Sequence, residues 1–402
     1  MARLTSLFLL CFILPLVISQ CTKEKAKVNF KRAVYDFSVE LMSRVAENSD
    51  GHFIASPLSA WNLLSILAMG AYDKTLAEIK QVAGLHPHEC FNRKYLDLVK
   101  EISVSDSQTT IERSSSLFVD NTMGLRQNFK NKLTKSGFCD ITPLSFDDFA
   151  AAAAEINNYV KESTHGIIDE IVSASDMEGV YLILIDAIYF KGTWRNSFPI
   201  EDTEISPFYD SKTVQIGDAN TMFMTGMFNI TYIEKIKAKI LELPYGNNGR
   251  FSMLVFLPQD HVTVQKVIDD LENISLRSVF GMFNKHGPTS VSVTIPRFKI
   301  SSDLFYLKDL LIDMGLNEMF DAASAKFPAI SQYALHVSNF IQKADIEVTE
   351  EGTVSAAATQ AGLTFRTLPM EFLANKPFFF MVVDRQAEVP IFTGAYSKPT
   401  IF

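Results

Sequence analysis

The chain has 402 residues, of which 47% are hydrophobic and 21% are charged. This is the composition of a globular protein that is long enough for one large core or two lobes, and it excludes disorder of the whole chain. The formal net charge is -9, and the Lys and Arg residues are scattered singly. The sequence therefore lacks the clustered cations that nucleic-acid binding requires.

Residues 1–19 have the pattern of a secretory signal peptide. Arg3 precedes an apolar run over residues 7–18, and small residues before Gln20 favour cleavage there. The run is shorter than the roughly 20 residues that a membrane-spanning helix needs. We therefore expect a secreted, extracellular protein without residues 1–19. Two glycosylation sequons fit that compartment, at Asn229 and Asn273.

Three cysteines follow the predicted cleavage site: Cys21, Cys90 and Cys139. An odd number in an oxidising compartment allows at most one internal disulfide, and the sequence leaves the pairing open. The stretch "HPHEC" places His86, His88 and Cys90 at alternate positions, but no second cluster completes a metal site. We expect a surface turn there, with no metal and no cofactor.

The N-terminal half is predicted to be mainly helical, and strands dominate later. Apolar residues at helical spacing predict helices over residues 27–46, 59–71 and 150–161. The apolar run "YLILIDAIYF" at 181–190 predicts a strand buried on both faces. Further strands are predicted at 239–243, 251–257, 291–300, 340–348, 378–383 and 391–395. No linker divides the chain, which indicates a single α+β domain over residues 20–402.

The stretch "EEGTVSAAATQAGLTFRTLPM", residues 350–370, is the most unusual feature, and we call it the reactive segment. It joins two predicted core strands over about twenty residues. Connections of that length without secondary structure are uncommon in compact domains, and they are usually either functional loops or disordered segments. No proline occurs from Gly352 to Leu368, so the segment retains its backbone donors and could form a strand. Its residues 353, 355, 357 and 359 are small enough for that strand to enter a packed sheet.

Sequence motifs with specific catalytic mechanics are absent. There is no Gly-x-Ser-x-Gly elbow, no His-Glu-x-x-His, no phosphate loop and no dinucleotide fingerprint. None of the seven histidines lies beside an obvious nucleophile within an apolar strand. We therefore do not expect an enzyme.

Six blocks in order resemble the serpins, a family of protease inhibitors. They are "FIASPLSAWNLLSILAMGAYDKTLAEI", "DAIYFKGTWRNSF", "ILELPYGNNGRFSMLVFLP", "VTIPRFKI", "EVTEEGTVSAAAT" and "ANKPFFFMVVD" followed by "VPIFTGAYSKP". The resemblance covers nearly the whole mature chain. It implies a fold of three β-sheets and about nine helices with an exposed reactive-centre loop, and a native state that releases strain when the cleaved loop inserts into the central sheet.

The resemblance also assigns roles within the reactive segment. The distance to "NKPF" implies a scissile bond between Arg366 and Thr367, preceded by Leu363, Thr364 and Phe365 as residues that contact the protease. It implies a hinge formed by Glu350, Glu351, Gly352, Thr353, Ser355, Ala356, Ala357 and Ala358. An arginine before the bond suits a trypsin-like specificity pocket, in which a carboxylate binds the guanidinium.

The resemblance places Ser56, Asp186 and Gln342 in the polar cluster beneath the central sheet, called the shutter, and Trp194 at the loop entry point, called the breach. Asp186 stands where asparagine is usual and Gln342 where many members have histidine, a change familiar in arthropod-like serpins. A buried carboxylate needs hydrogen-bond donors or a raised pKa. Asp345 also adds a charge to a strand that is usually apolar, so both acids bear on sheet opening.

The sequence thus predicts a secreted, arthropod-like suicide inhibitor that forms a covalent complex with a trypsin-like serine protease. Three alternatives stay open. They are inhibition of papain-like cysteine proteases, because Phe365 suits their apolar second pocket, a cut after Phe365 by a chymotrypsin-like protease, and a non-inhibitory carrier or storage serpin. We expect a monomer that binds no nucleic acid and no membrane. Glycosaminoglycan binding is not expected, because the candidate helix "FNRKYLDLVK" offers only Arg93, Lys94 and Lys100 among acidic neighbours.

Overall fold

The computed structural model describes residues 21–102, 109–137, 139–351 and 368–402. None of the helices in these ranges is long and apolar enough to cross a membrane. The described helices are α1 (Lys23–Asn48), α2 (Pro57–Ala68), α3 (Asp73–Val82), α4 (Glu89–Ile102), α5 (Gln127–Ser136), α6 (Phe149–Ser163), α7 (Val264–Asp270), α8 (Leu276–His286) and α9 (Leu307–Asp313). The described strands are β1 (Phe53–Ala55), β2 (Thr109–Asp120), β3 (Asp140–Leu144), β4 (Leu182–Gly192), β5 (Glu204–Tyr209), β6 (Gln215–Ile233), β7 (Ala238–Pro244), β8 (Phe251–Pro258), β9 (Thr289–Pro296), β10 (Phe298–Leu304), β11 (Asn339–Val348), β12 (Met370–Leu373), β13 (Phe378–Asp384) and β14 (Val389–Tyr396).

The central sheet has five strands in the order β10-β11-β4-β2-β3. Strand β4 lies in the middle and is parallel to β11 but antiparallel to β2. Its continuous apolar sequence suits this position, because a central strand covered on both faces has no polar side. Six of its first seven residues are buried apolar side chains, and the remaining one is Asp186.

The other nine strands form two sheets that share the long strand β6. The first part of β6 pairs with β5 and β9, and β12 adds to the edge of β9. The last part of β6 pairs with β7, and this sheet continues through β8, β13 and β14 to β1. The expected α+β fold of three sheets and nine helices is confirmed for the described ranges.

Two apolar clusters cover the two faces of the central sheet. The larger one packs α1 and α2 against β8, β13 and β14, whose sequences are buried throughout. The smaller one lies under α6 and the chain that follows it, where Ile171 and Val172 pack with Ile183, Ile185 and Ile341. Opening the central sheet between β4 and β11 would therefore disturb both clusters, since each contains residues of both strands.

One predicted strand is wrong. Residues 291–300 form two strands rather than one, because β9 ends at Pro296 and β10 begins at Phe298 in a different sheet. Proline has no backbone N–H with which to continue a ladder. Arg297 occupies the turn between the two sheets.

The structure resolves the cysteine pairing. Cys21 and Cys90 form a disulfide with a Cα–Cα distance of 6.3 Å and a sequence separation of 69 residues, and Cys139 is a buried thiol outside this disulfide. The disulfide joins the start of α1 to the start of α4. Cys90 therefore offers no thiolate to a metal, and His86 instead stacks on Phe91 with ring centroids 4.0 Å apart.

Candidate functional site

The site predicted from the sequence lies partly outside the described residues. Gly352, Thr353, the small residues 355–358, residues 363–365 and the bond between Arg366 and Thr367 fall there, so their assigned roles remain predictions. The described chain reaches Glu351 on one side and resumes at Leu368, which is 95% exposed. What the structure does define is the sheet that would receive the segment and the contacts at its entrance.

The reactive segment would enter the central sheet at the interface between β4 and β11. The two strands pair directly and in parallel over eight residues, from Asn339 opposite Ile183 to Ile346 opposite Phe190. No other strand lies between them, so every pair contacts across one hydrogen-bonded ladder. Strand β11 then leads into the reactive segment after Val348.

The shutter residues meet at this interface on the core side. Gln342 lies opposite Asp186 in the strand register, and all three predicted residues are almost fully buried. Gln342 Nε2 donates to Asp186 Oδ2 at 2.6 Å and to the carbonyl of Ser56 at 2.9 Å. Gln342 Oε1 accepts from the backbone N–H of Ser56 at 2.8 Å, and Ser56 Oγ donates to the carbonyl of Ile391. The structure thus brings Ser56, Asp186 and Gln342 together.

Sequence reasoning missed a fourth member of this cluster, Ser115 on β2. Its hydroxyl donates to Asp186 Oδ1 at 2.5 Å. Ser115 sits in the run "RSSSLF", where nothing local distinguishes it from Ser114 or Ser116. Only the register of β2 against β4 identifies it.

The breach is closed by Trp194, which follows β4. Its indole Nε1 donates to the carbonyl of Thr349 at 2.9 Å, and its backbone N–H donates to the carbonyl of Glu351 at 3.2 Å. The indole stacks on Tyr245 with ring centroids 4.3 Å apart and an interplanar angle of 13°. Tyr245 is fully buried, and this burial raises the pKa of its hydroxyl well above the usual value. Trp194 therefore fixes the start of the reactive segment to the top of β4.

Glu350 is the second anchor of that start. It is 5% exposed, and its carboxylate accepts from Thr203 Oγ1 at 2.8 Å and contacts Arg297 Nη1 at 3.4 Å. Its carbonyl accepts from the backbone N–H of Phe198 at 2.8 Å. Sequence reasoning named Glu350 as a hinge residue but missed both side-chain partners, because each comes from a distant turn. Breaking a buried charged pair of this kind is costly, since the remaining partner stays desolvated.

Asp345 lies on the opposite face of β11 from the shutter. It pairs in register with Tyr189 on β4 and Ser301 on β10. Burial raises the pKa of the Asp345 carboxyl, while a hydrogen bond from Ser301 and the charges of Lys343 and Lys299 oppose the shift. The extra charge therefore weakens the native sheet at the strand that must move.

The two glycosylation sequons differ in access. Asn273 is exposed just before α8, whereas Asn229 is half buried in β6. The Asn229 amide nitrogen, the atom that would carry a glycan, donates to the buried carboxylate of Glu242 at 2.7 Å. The geometry therefore favours Asn273, and glycosylation of either residue stays a prediction.

Replacing Asp345 by asparagine is expected to stabilise the native state at neutral pH. A carboxyl whose pKa is raised by folding destabilises the folded state once it ionises, and it has no such effect when it is protonated in both states. The urea midpoint of Asp345→Asn should exceed that of the parent at pH 7, and the difference should disappear at about pH 3.5, below the usual carboxyl pKa.

The matched control is Asp303→Asn on the neighbouring strand β10. Asp303 is more exposed and forms an ion pair with Lys343 at 3.1 Å, so its loss should lower the midpoint or leave it unchanged. An equal gain from both variants would show that the general negative charge, rather than the buried position of Asp345, is responsible.

Comparison with known proteins gives one consistent family. Residues 32–399 match the family described as Serpin (serine protease inhibitor). Serpin B8 of Bos taurus is 31% identical over 372 residues, which cover 90% of this chain and 97% of the relative. Leukocyte elastase inhibitor of Xenopus tropicalis is 31% identical over 379 residues, covering 92% and 100%.

A solved structure agrees with these sequences. The crystal structure of Manduca sexta serine protease inhibitor (serpin)-12 superposes with a TM-score of 0.81 and 26% identity, covering 91% of this chain and 98% of the other. Similar serpins thus come from cattle, frog and insect, so the comparisons do not single out an arthropod-like type. With the family match spanning the three sheets, the shutter and the breach, the chain belongs to the serpins, a family of protease inhibitors rather than enzymes.

Proposed function

We propose that this serpin is a suicide inhibitor of trypsin-like serine proteases, with Arg366 and Thr367 forming the scissile bond. The protease serine Oγ attacks the Arg366 carbonyl carbon, the peptide bond breaks, and the amine of Thr367 leaves with a proton. The acyl-enzyme ester is then trapped because the freed segment inserts between β4 and β11. The protease is carried away from its attack position before water hydrolyses the ester.

The observation that carries this proposal is the parallel pairing of β4 and β11. A segment that leaves the end of β11 and folds back runs antiparallel to both strands. Insertion would replace one parallel ladder by two antiparallel ladders, and parallel pairing is the slightly weaker kind per residue. The sheet therefore gains a strand and better pairing at the same time, which supplies a driving force for insertion.

The lengths of the segment and the strand agree. Strand β4 has 11 residues and so spans about 36 Å at ~3.3 Å per residue. Residues 352–367 number sixteen, which is enough to run the full length of β4 and turn in at the top. Insertion of about fourteen residues would move the bound protease by on the order of 45 Å.

The trypsin-like specificity rests on Arg366, which is the only charged residue between Glu351 and Glu371. A guanidinium binds a carboxylate through paired charge-assisted hydrogen bonds, as in the specificity pocket of trypsin. One relative is named as an inhibitor of leukocyte elastase, but connecting segments vary among homologues more than the elements they join, so its target does not carry over to this chain. Phe365 supports papain-like cysteine proteases as a second class of target.

Replacement of Arg366 by alanine is expected to abolish the covalent complex with trypsin. Mixing the parent with trypsin should give a complex that survives denaturing electrophoresis, because its ester is trapped. The matched variant Phe365→Ala should keep the trypsin complex and lose inhibition of a papain-like protease. A full trypsin complex with Arg366→Ala would contradict the assignment of the scissile bond.

Cleavage of the reactive segment distinguishes an inhibitor from a carrier or storage serpin. Inserting the cut segment completes the central sheet, so the cleaved inhibitor should resist heating far beyond the intact protein. We expect the melting temperature to rise by more than about 20 °C, because the native strain is lost. For a chain of this length that rise corresponds to on the order of 15 kcal/mol, at ~2.1 cal/mol/K per residue. An unchanged melting temperature would favour the non-inhibitory alternative, which "GTVSAAAT" otherwise argues against because it lacks proline and bulky residues.

We propose that the mature protein is secreted, which rests on the pattern of residues 1–19 and on the Cys21–Cys90 disulfide. Stable disulfides form in oxidising compartments. Protein from the culture medium of expressing cells should begin at Gln20 and give a non-reduced peptide linking Cys21 to Cys90, with a glycan at Asn273. Retention in the cell of a chain that starts at Met1 with all four of its cysteines reduced would contradict secretion.

A further inference from the structure

Residues 397–402 lie along the sheet that contains β6 and end at Arg297. The backbone N–H groups of Ser397 and Lys398 donate to His52 Nδ1 at 3.2 Å each, and that of Thr400 donates to the hydroxyl of Tyr396 at 3.1 Å. Pro399 packs on Gly217 so closely that a side-chain carbon there would lie 2.7 Å from Pro399 Cγ. The path of this tail is thus defined at several successive residues.

Phe402 is held at three points. Its backbone N–H donates to Asn220 Oδ1 at 3.0 Å, and its carbonyl accepts from Arg297 Nη2. The Arg297 guanidinium also lies over its ring, with Cζ 5.0 Å from the ring centroid. A backbone hydrogen bond supports the same arrangement, because the N–H of Arg297 donates to the carbonyl of Asn220 at 2.7 Å. Asn220 therefore fixes both partners at once.

The same guanidinium contacts the start of the reactive segment. Arg297 Nη1 lies 3.4 Å from Glu350 Oε1, while Nη2 is engaged by Phe402. An arginine side chain has many rotamers, and ordering it costs entropy unless other contacts hold it in place. Phe402 supplies such contacts through its carbonyl at Nη2 and through its ring at Cζ, while Glu350 is bound at Nη1. Phe402 therefore influences the position of Glu350 only indirectly, through the side chain of Arg297.

We propose that Phe402 is a positioning residue for the reactive segment, orienting Arg297 so that it keeps Glu350 anchored beside the entrance to the central sheet. This inference rests on the proposed function, because its consequence is the timing of insertion. With Phe402 in place, Glu350 stays bound until the protease cuts. Without it, the start of the segment detaches more readily, and the intact segment enters the sheet before any protease arrives.

The test compares Phe402→Ala with Ile401→Ala. Ile401 precedes Phe402 and is 56% exposed, so its replacement removes a similar apolar surface from the same tail. The half-life of trypsin inhibition at a fixed elevated temperature should fall about three- to tenfold in Phe402→Ala, which is the size expected for a lost cation–π contact. The half-life of Ile401→Ala should equal that of the parent. Phe402→Tyr should also keep the parent half-life, because it retains an aromatic ring at that position.

A double-mutant cycle separates positioning from general stabilisation. In an Arg297→Met background, Phe402→Ala should cause no further loss, because the residue through which it acts is gone. Equal losses in both backgrounds would overturn the proposal, as would equal losses from Ile401→Ala and Phe402→Ala.

Two readouts on the uncut protein need no protease. Conversion to the inserted form is seen as a gain of urea resistance, and Trp194 emission in a Trp61→Phe background reports the bonds to Thr349 and Glu351 that flank Glu350. Both should change faster on heating in Phe402→Ala. If the parent inhibits no protease but these readouts shift as expected, the proposed function fails and the positioning role stands. If the parent inhibits and they do not shift, the positioning role fails alone.

Discussion

The direct parallel pairing of β4 and β11 is the constraint on which the rest of the molecule depends. A mixed sheet with two parallel strands at its centre has a better alternative, in which an antiparallel strand lies between them. On the proposed mechanism, the reactive segment that follows β11 in the sequence supplies that strand. The native structure then persists only while the β4/β11 interface stays closed, and its stability is a matter of rates.

The interface is held closed at two levels that differ in chemistry. At the shutter, Gln342 crosses it to Asp186 on a fully buried face, where a broken hydrogen bond leaves polar groups without water. At the breach, Trp194 holds the backbone at Thr349 and Glu351, while Thr203 and Arg297 hold the Glu350 side chain. On the proposed mechanism, the segment enters at the breach, so the breach contacts act on the start of insertion and the shutter contacts act on its progress along the sheet.

Much of this fold could be predicted from the sequence, because serpin blocks lie on elements with strong local patterns. The strand over residues 181–190 and the helix over residues 27–46 were found within a few residues of their ends. The prediction failed at Arg297, because β9 and β10 belong to different sheets but are separated in the sequence only by the turn at Pro296 and Arg297. Their apolar residues alternate as they would in one continuous strand. Partners such as Ser115 and Thr203 were not predictable, because their roles come from strand register and from turns that local sequence does not encode.

Two departures from the serpin pattern, Asp186 and Gln342, are in direct contact and depend on each other. Asp186 can only accept hydrogen bonds when ionised, so each neighbour at its oxygens must donate. Gln342 meets this need in only one amide orientation, because its Oε1 accepts from the Ser56 N–H and its Nε2 therefore faces Asp186 and the Ser56 carbonyl. A neutral histidine at 342 has only one N–H donor, fewer than this arrangement uses. The acid and the amide are thus complementary, and their hydrogen bond joins β11 to β4 across the closed interface.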